Sequence, residues 1–216
     1  MTAGAGRVCP HCGHGLSNAA ALAGLCAHCL LQAGCGHDYT VVSVLGQGEL
    51  GTVYLAEQAP SGRLVALKVL TAGAVADAIV SRVSRQTPLL NALAHPCVAT
   101  ILDIGVNEQQ QPFLAGEYVR GAPITRHCER AHASVSDRVA LLATVGGLLG
   151  AAHARGVVHG GIKASNILVA RRAAGPAVTV TDFGMRAGDA AADDLALMKL
   201  ADELVQPVDA RGQFDL

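Results

Sequence analysis

His159-Gly160-Gly161-Ile162-Lys163-Ala164-Ser165-Asn166 is the stretch on which the fold turns. Three further motifs frame it. Gly46-Gln47-Gly48-Glu49-Leu50-Gly51-Thr52-Val53 and Val65-Ala66-Leu67-Lys68 come before it, and Asp182-Phe183-Gly184 follows. The first of these reads as a GxGxxGxV phosphate loop, in which glycines let a hairpin backbone approach phosphates without Cβ clashes. One such loop is weak evidence, whereas four motifs in a fixed order are strong.

Together the motifs resemble those of bacterial serine/threonine protein kinases, in order and in separation, over about Tyr39 to Glu203. The 159–166 stretch stands where that family carries HRDxKxxN, with glycine replacing both Arg and Asp. Leu93-Ala94-His95-Pro96-Cys97-Val98 resembles the HPNIV turn after helix C, and Leu114-Ala115-Gly116-Glu117-Tyr118-Val119 the last N-lobe strand entering the hinge. Pro123-Ile124-Thr125-Arg126-His127-Cys128 is similar to the post-hinge stretch of a large bacterial kinase group. The resemblance implies an α+β, two-lobed kinase-like fold over residues 39–216, with an N-lobe of about 39–118 and a C-lobe of about 119–216. The sequence given runs to Leu216, so a truncated C-lobe with an open apolar face is expected.

The resemblance also assigns roles. Gly46, Gly48 and Gly51 would cradle the phosphates of ATP, Val53 and Ala66 would cover the adenine from above, and Leu168 would pack beneath it. Glu117 and Val119 fall at the hinge, and Gly116 at the position of a bulky gatekeeper, leaving room for enlarged adenine analogues. Lys68 would pair with the phosphates, and Asn166 and Asp182 would hold magnesium. His159, Phe183 and Leu90 match the spine that ties the lobes together. Asp193, opening Asp193-Asp194-Leu195-Ala196-Leu197-Met198, matches the helix F aspartate that anchors the catalytic-loop backbone.

The departures are coherent. In the family the acid at the place of Gly161 accepts the proton of the substrate hydroxyl, and the arginine at the place of Gly160 reads an activation-loop phosphate. Met185 to Ala192, between Gly184 and the expected helix F, contains no Ser, Thr or Tyr. Glu49 and Leu50 at the loop tip weaken the phosphate clamp. Family spacing puts Gln86 where helix C carries the glutamate that holds Lys68, and an amide offers no charge-assisted bond. Pro88 then either interrupts helix C, at about 3 kcal/mol, or starts a short helix capped by Thr87 that leaves Gln86 outside. Ser136 and Asp137 read as the start of a helix running to Ala154, which Gly156 closes ahead of a Val157-Val158 strand.

Residues 1–38 read as a separate zinc-ribbon-like module and linker. Cys9-Pro10-His11-Cys12 and Cys26-Ala27-His28-Cys29 are two CxxC pairs at the spacing by which two knuckles bring four thiolates to one structural Zn2+. So short a segment needs such a staple. Its only charged side chains are Arg7 and Asp38, too few for phosphate contacts, so nucleic acid is not an expected ligand.

Composition agrees with a small soluble protein of 216 residues, 51% apolar, with 3% aromatics and no Trp, so Ala, Val and Leu must build the core. The formal charge of −1 offers no footprint for nucleic acid or an anionic membrane. The longest apolar-rich run, Val139 to Ala152, is shorter than the ~20 residues of a bilayer span, and no signal segment opens the chain. A cytoplasmic location is the expectation. Two functions fit: a pseudokinase that binds ATP weakly and acts through an unknown protein partner, or a weakly active serine/threonine kinase.

Overall fold

The computed structural model describes residues 38–107 and 110–205. The zinc-ribbon reading of Cys9, Cys12, Cys26 and Cys29 lies outside them. The described residues form two compact units: one holds residues up to Asp77 together with Ile101–Tyr118, the other Ala78–Thr100 and residues from Val119 onward.

The first unit is an antiparallel sheet of β1 (Tyr39–Gly48), β2 (Gly51–Gln58), β3 (Arg63–Leu70), β4 (Ile101–Val106) and β5 (Pro112–Glu117), in the order β1-β2-β3-β5-β4. Alternation along these strands decides which side chains become core. Tyr54, Leu67 and Ala115 are paired across β2, β3 and β5 and buried together with Tyr39, Ala56, Val65 and Phe113. The Tyr39 and Phe113 rings meet edge to face at 5.8 Å, and the Tyr39 hydroxyl donates to Asp103 at 3.0 Å. Burial first, and then the Asp103 carboxylate, push the Tyr39 phenol up to about 12.

The second unit is helical with a small sheet. Most of α1 (Ala74–Leu93) belongs to it, followed by β6 (Ala122–Pro123), α2 (Ile124–Arg130), α3 (Val135–His153), β7 (Ile167–Arg172), β8 (Gly175–Val180) and α4 (Ala190–Val205). Its core gathers Leu90, Ile124, Val145, Leu148, Leu149, Ile167, Val180, Phe183 and Leu200 among others, mostly aliphatic, as the scarcity of aromatics requires. Gly146 is where α3 and α4 come close, since a Cβ there would lie 3.6 Å from Leu197 Cδ2. By length and composition α3 is apolar enough to cross a membrane, longer than the run read from the sequence. Leu141, Leu142, Val145, Leu148, Leu149 and Ala152 commit one side of it to this core.

Four local expectations change. Helix α1 is continuous through Pro88, so Thr87 and Pro88 do not start a second helix and Gln86 stays inside the first. Pro88 is exposed, and the hydroxyl of Thr87 donates to the Val83 carbonyl at 2.8 Å, binding the turn just before the proline. Helix α3 starts earlier than Ser136: Ser134 is its N-cap, in a capping box with Asp137. Val157-Val158 is not a strand; the Val157 N–H closes onto the Ala152 carbonyl at 3.0 Å, and its side chain drops into the core. Helix F, here α4, begins at Ala190 instead of Asp193, because Asp189 accepts from the Ala192 N–H at 2.8 Å and caps the turn before it.

Candidate nucleotide site and catalytic loop

Strand register gathers the residues of the first unit that the motifs single out for nucleotide. Val53 of β2 pairs with Lys68 of β3, which pairs with Leu114 of β5; Leu55, Ala66 and Gly116 form the next such row, two residues along. Directly paired residues share a face, so Val53, Ala66, Lys68 and Gly116 stand together opposite the Tyr54-Leu67-Ala115 core. Gly46 pairs with Val53 and joins that face. Glu49 and Leu50 form the turn between β1 and β2. A Cβ added at Gly46 or Gly48 would meet nothing within 4 Å. Gly51 differs: at φ +139° its Cβ would overlap the Val69 carbonyl oxygen, so sterics alone demand glycine there. Glu117 ends β5.

The second unit assembles the rest around Asp193. Its side chain is buried, and its carboxylate accepts from the backbone N–H of His159 at 2.7 Å and of Gly160 at 2.8 Å. The His153 ring nitrogen Nε2 lies 3.1 Å from the same carboxylate, a partner that the sequence reading passed over. Thus α4 and α3 together fix the entry to the 159–166 loop, as expected of the anchoring aspartate.

Inside the loop, Asn166 donates from Nδ2 to the Gly161 carbonyl at 2.9 Å, which turns its amide oxygen outward from that bond. The Asn166 carbonyl in turn accepts from the Thr181 N–H at 2.9 Å, tying the loop to the residue preceding Asp182. Asp182 takes φ +66°, an uncommon left-handed conformation in which an aspartate pays less than most residues. An amide oxygen and a carboxylate oxygen are the hard donors that suit magnesium, which binds few protein ligands and completes its shell with phosphates and water. Among the described residues no three His, Cys, Asp or Glu side chains cluster as a metal cage. Leu168 lies on β7, paired with Pro123 and Thr179, and Val119 lies two residues past the end of β5.

His159 is fully buried, its ring centroid 4.7 Å from that of Phe183 at a tilt of 52°, with Nε2 2.8 Å from the Thr181 carbonyl. Since a carbonyl only accepts, Nε2 carries the proton; Nδ1 is buried with no partner. Desolvation holds this imidazole below its ordinary pKa, so it is neutral. Phe183 and Leu90 share the same core, the grouping expected of the spine. Gly184, at φ +75°, donates to the His159 carbonyl at 3.0 Å and accepts from Arg82 at 3.0 Å. Gln86 faces this turn: its amide oxygen is buried without a partner, 2.9 Å from where a Gly184 Cβ would stand. It is therefore not a solvated side chain on an outer helix face.

The two glycines of the loop are covered by the segment after Gly184. At Gly160, φ +74°, a Cβ would overlap the Arg186 carbonyl oxygen. At Gly161 a Cβ would lie 3.4 Å from Cδ of Arg186 and 3.8 Å from its Cγ. Nothing in the motifs points to this contact beyond two adjacent glycines and an arginine in a short loop.

The comparisons with known proteins agree with this geometry. The protein kinase domain family matches residues 39–194. Serine/threonine-protein kinase Pkn1 of Myxococcus xanthus is 36% identical over 153 residues, 70% of this chain and 22% of that protein. A second kinase of the same organism, pkn3, is 32% identical over 82% of this chain and 34% of its own length. The chain thus spans about a quarter to a third of these relatives. Among solved structures, the PknI kinase domain of Mycobacterium tuberculosis matches with a TM-score of 0.64 at 28% identity, covering 83% of this chain and 77% of that one. With the motifs in register and the anchoring aspartate in its bonds, this chain belongs to the protein kinase family.

Proposed function

We propose that this chain is a pseudokinase that binds ATP weakly with magnesium and acts through contact with a protein partner. One observation carries the reading: the position of the family's catalytic acid is Gly161, inside a loop whose frame is otherwise kept by Asp193, Asn166 and His159. What is absent is the proton acceptor; what holds the loop in place is retained. Met185 to Asp189, all that separates Gly184 from α4, offers no phosphoacceptor hydroxyl and little surface to dock a peptide.

ATP binding is supported by family membership and by the row of Gly46, Val53, Ala66 and Lys68, with Asn166 and Asp182 as magnesium ligands. Bound magnesium would neutralise charge on the phosphates. Gln86 in place of a glutamate removes a charge-assisted bond worth ~1.5–3 kcal/mol, which weakens ATP by about one to two decades. A protein partner is supported by exposed apolar side chains on α3 and α4, with Val139 49%, Leu195 53% and Met198 66% accessible. Structural zinc on Cys9, Cys12, Cys26 and Cys29 rests on their spacing alone, and metal analysis of the purified chain should find one zinc per molecule. A metal-free chain with freely reactive thiols would remove it.

The alternative, a weakly active serine/threonine kinase, draws on the retained Asn166 and Asp182, because general base catalysis contributes only about 10²- to 10⁴-fold. A phosphotransfer assay on a peptide mixture separates the two. The pseudokinase reading expects negligible transfer by the unmodified chain and no rescue by Gly161→Asp alone. Turnover by the unmodified chain that disappears with Lys68→Ala would establish the alternative.

A further inference from the structure

The near-zero formal charge of the chain is unevenly placed. Residues 119–131 and 169–178, which include β6, α2 and the β7–β8 turn, carry five arginines and one acid, Glu129. The fold brings the arginines together. β6 pairs with β7, Ala122 opposite Val169, and Gly121 presses on the same strand, where a Cβ would stand 3.0 Å from the Val169 carbonyl. Arg120, one residue back, therefore lies near the end of β7 that holds Arg171 and Arg172. Helix α2 packs against β7, with Ile124 in one core with Ile167 and Val169, and its Arg126 and Arg130 stand one turn apart on one side. His127 lies between them in sequence. Burial first, and then the Arg171 guanidinium, hold its imidazole below the ordinary pKa, so α2 and the end of β7 share one positive field.

Arg120, Arg126, Arg130, Arg171 and Arg172 are all exposed, and among the described residues none of their guanidinium groups makes a hydrogen bond or an ion pair. Like charges left unopposed repel one another, and an anionic ligand relieves that repulsion. Arginine also brings geometry, because its planar fork takes a carboxylate in two parallel bonds. What the surface lacks narrows the anion. Neither stretch contains a Phe, Tyr or Trp on which bases could stack, and neither exposes a large apolar side chain that could enter a bilayer.

We propose that this arginine surface of the second unit, formed by α2 and the β7–β8 turn, docks an acidic segment of a protein partner through its Asp and Glu carboxylates. The inference rests on the reading that the chain acts through a protein partner, and it gives that partner a chemistry: carboxylates spaced to meet Arg126 and Arg171 together.

The test is fluorescence anisotropy on the full chain with two labelled peptides, one alternating Glu with Gly and the other Lys with Gly. It is repeated with Arg126→Glu/Arg171→Glu and with Arg63→Glu/Arg85→Glu, a pair matched in charge whose arginines are exposed on β3 and α1. The expected result is binding of the acidic peptide alone, weakening as salt rises, and about ten-fold weaker or more in the first pair than in the second. Thermal melts check that both pairs fold. Should the first pair fail to fold, Arg126→Gln/Arg171→Gln removes the charge without reversing it and should still weaken binding by about three-fold or more. Equal weakening by the two matched pairs would overturn the proposal, as would binding of the basic peptide. So would tighter binding of phosphatidylserine vesicles or of a single-stranded oligonucleotide than of the acidic peptide. Phosphotransfer is not read, so failure of the docking surface and failure of the pseudokinase reading show in different experiments.

Discussion

The β1–β2 hairpin and the 159–166 loop are both rich in glycine, and glycine does opposite things in them. At Gly46 and Gly48 the missing side chains leave open space, with nothing of the chain within 4 Å. At Gly160 the space is taken by the Arg186 carbonyl, whereas a Cβ at Gly161 would make ordinary contact with the Arg186 stem. The hairpin has open volume beside its backbone at two glycines, while the loop places one glycine against the chain's own backbone.

The largest expected effect tests the frame of the loop. Asp193→Ala removes the acceptor of two N–H groups and the partner of His153 at once, and should destabilise the chain by roughly 3–5 kcal/mol in urea denaturation. A loss below about 1 kcal/mol would mean that water replaces these bonds and that the loop is not held as described.

The glycine contrast can be broken directly. Gly160→Ala combines a strained left-handed residue with overlap on the Arg186 carbonyl and should cost roughly 2–4 kcal/mol, whereas Gly46→Ala should stay within about 0.5 kcal/mol. Equal costs in thermal melts of the two variants would erase the distinction between empty and filled glycines.

Acid sharpens the same contrast, since His159 lies at the root of the loop and the hairpin carries no histidine. Its folded pKa is depressed by burial, so below the ordinary value near 6.5 the unfolded chain binds the proton that the folded chain refuses. This contribution is flat above about pH 7 and then erodes stability as pH falls, by at most about 1.4 kcal/mol per pH unit, until the folded pKa is reached. Denaturation at stepped pH should show a shallower slope for His159→Phe. Identical slopes would place the titration elsewhere.

The smallest effect comes from a glycine whose open space lies on a helix. Gly147 sits in the interior of α3, exposed, with no atom within 4 Å of a Cβ. Gly147→Ala should stabilise by about 0.5–1 kcal/mol through helix propensity alone, raising the melting temperature by a few degrees.

Much of this was legible in the sequence, because motif order records chemistry. Asp193 could be matched to the anchoring role before its bonds were seen, whereas the shared face of Val53, Ala66 and Lys68 came only with their register. Local boundaries were harder to read. The Ser134-x-x-Asp137 capping box was present as a signal, yet Ser136 drew the helix start forward. Pro88 argued for a break that α1 does not make, because the residue is exposed and the helix keeps its buried side chains Ile79, Val83 and Leu90 on both sides of it. The approach of the Arg186 carbonyl to Gly160 had no signature of its own: glycine records that something comes close, never what comes. His153 was hidden by its place near the end of an apolar helix, where nothing in the spacing marks a partner on α4.

The central claim is the proposed nucleotide binding beside an acceptor position that carries glycine, and a calorimetric titration of Mg-ATP into the unmodified chain, Lys68→Ala and Asp182→Ala tests it most directly. The account predicts weak binding by the unmodified chain that needs magnesium and is lost in both variants. No binding at millimolar ATP, or binding indifferent to magnesium and to both substitutions, would contradict it.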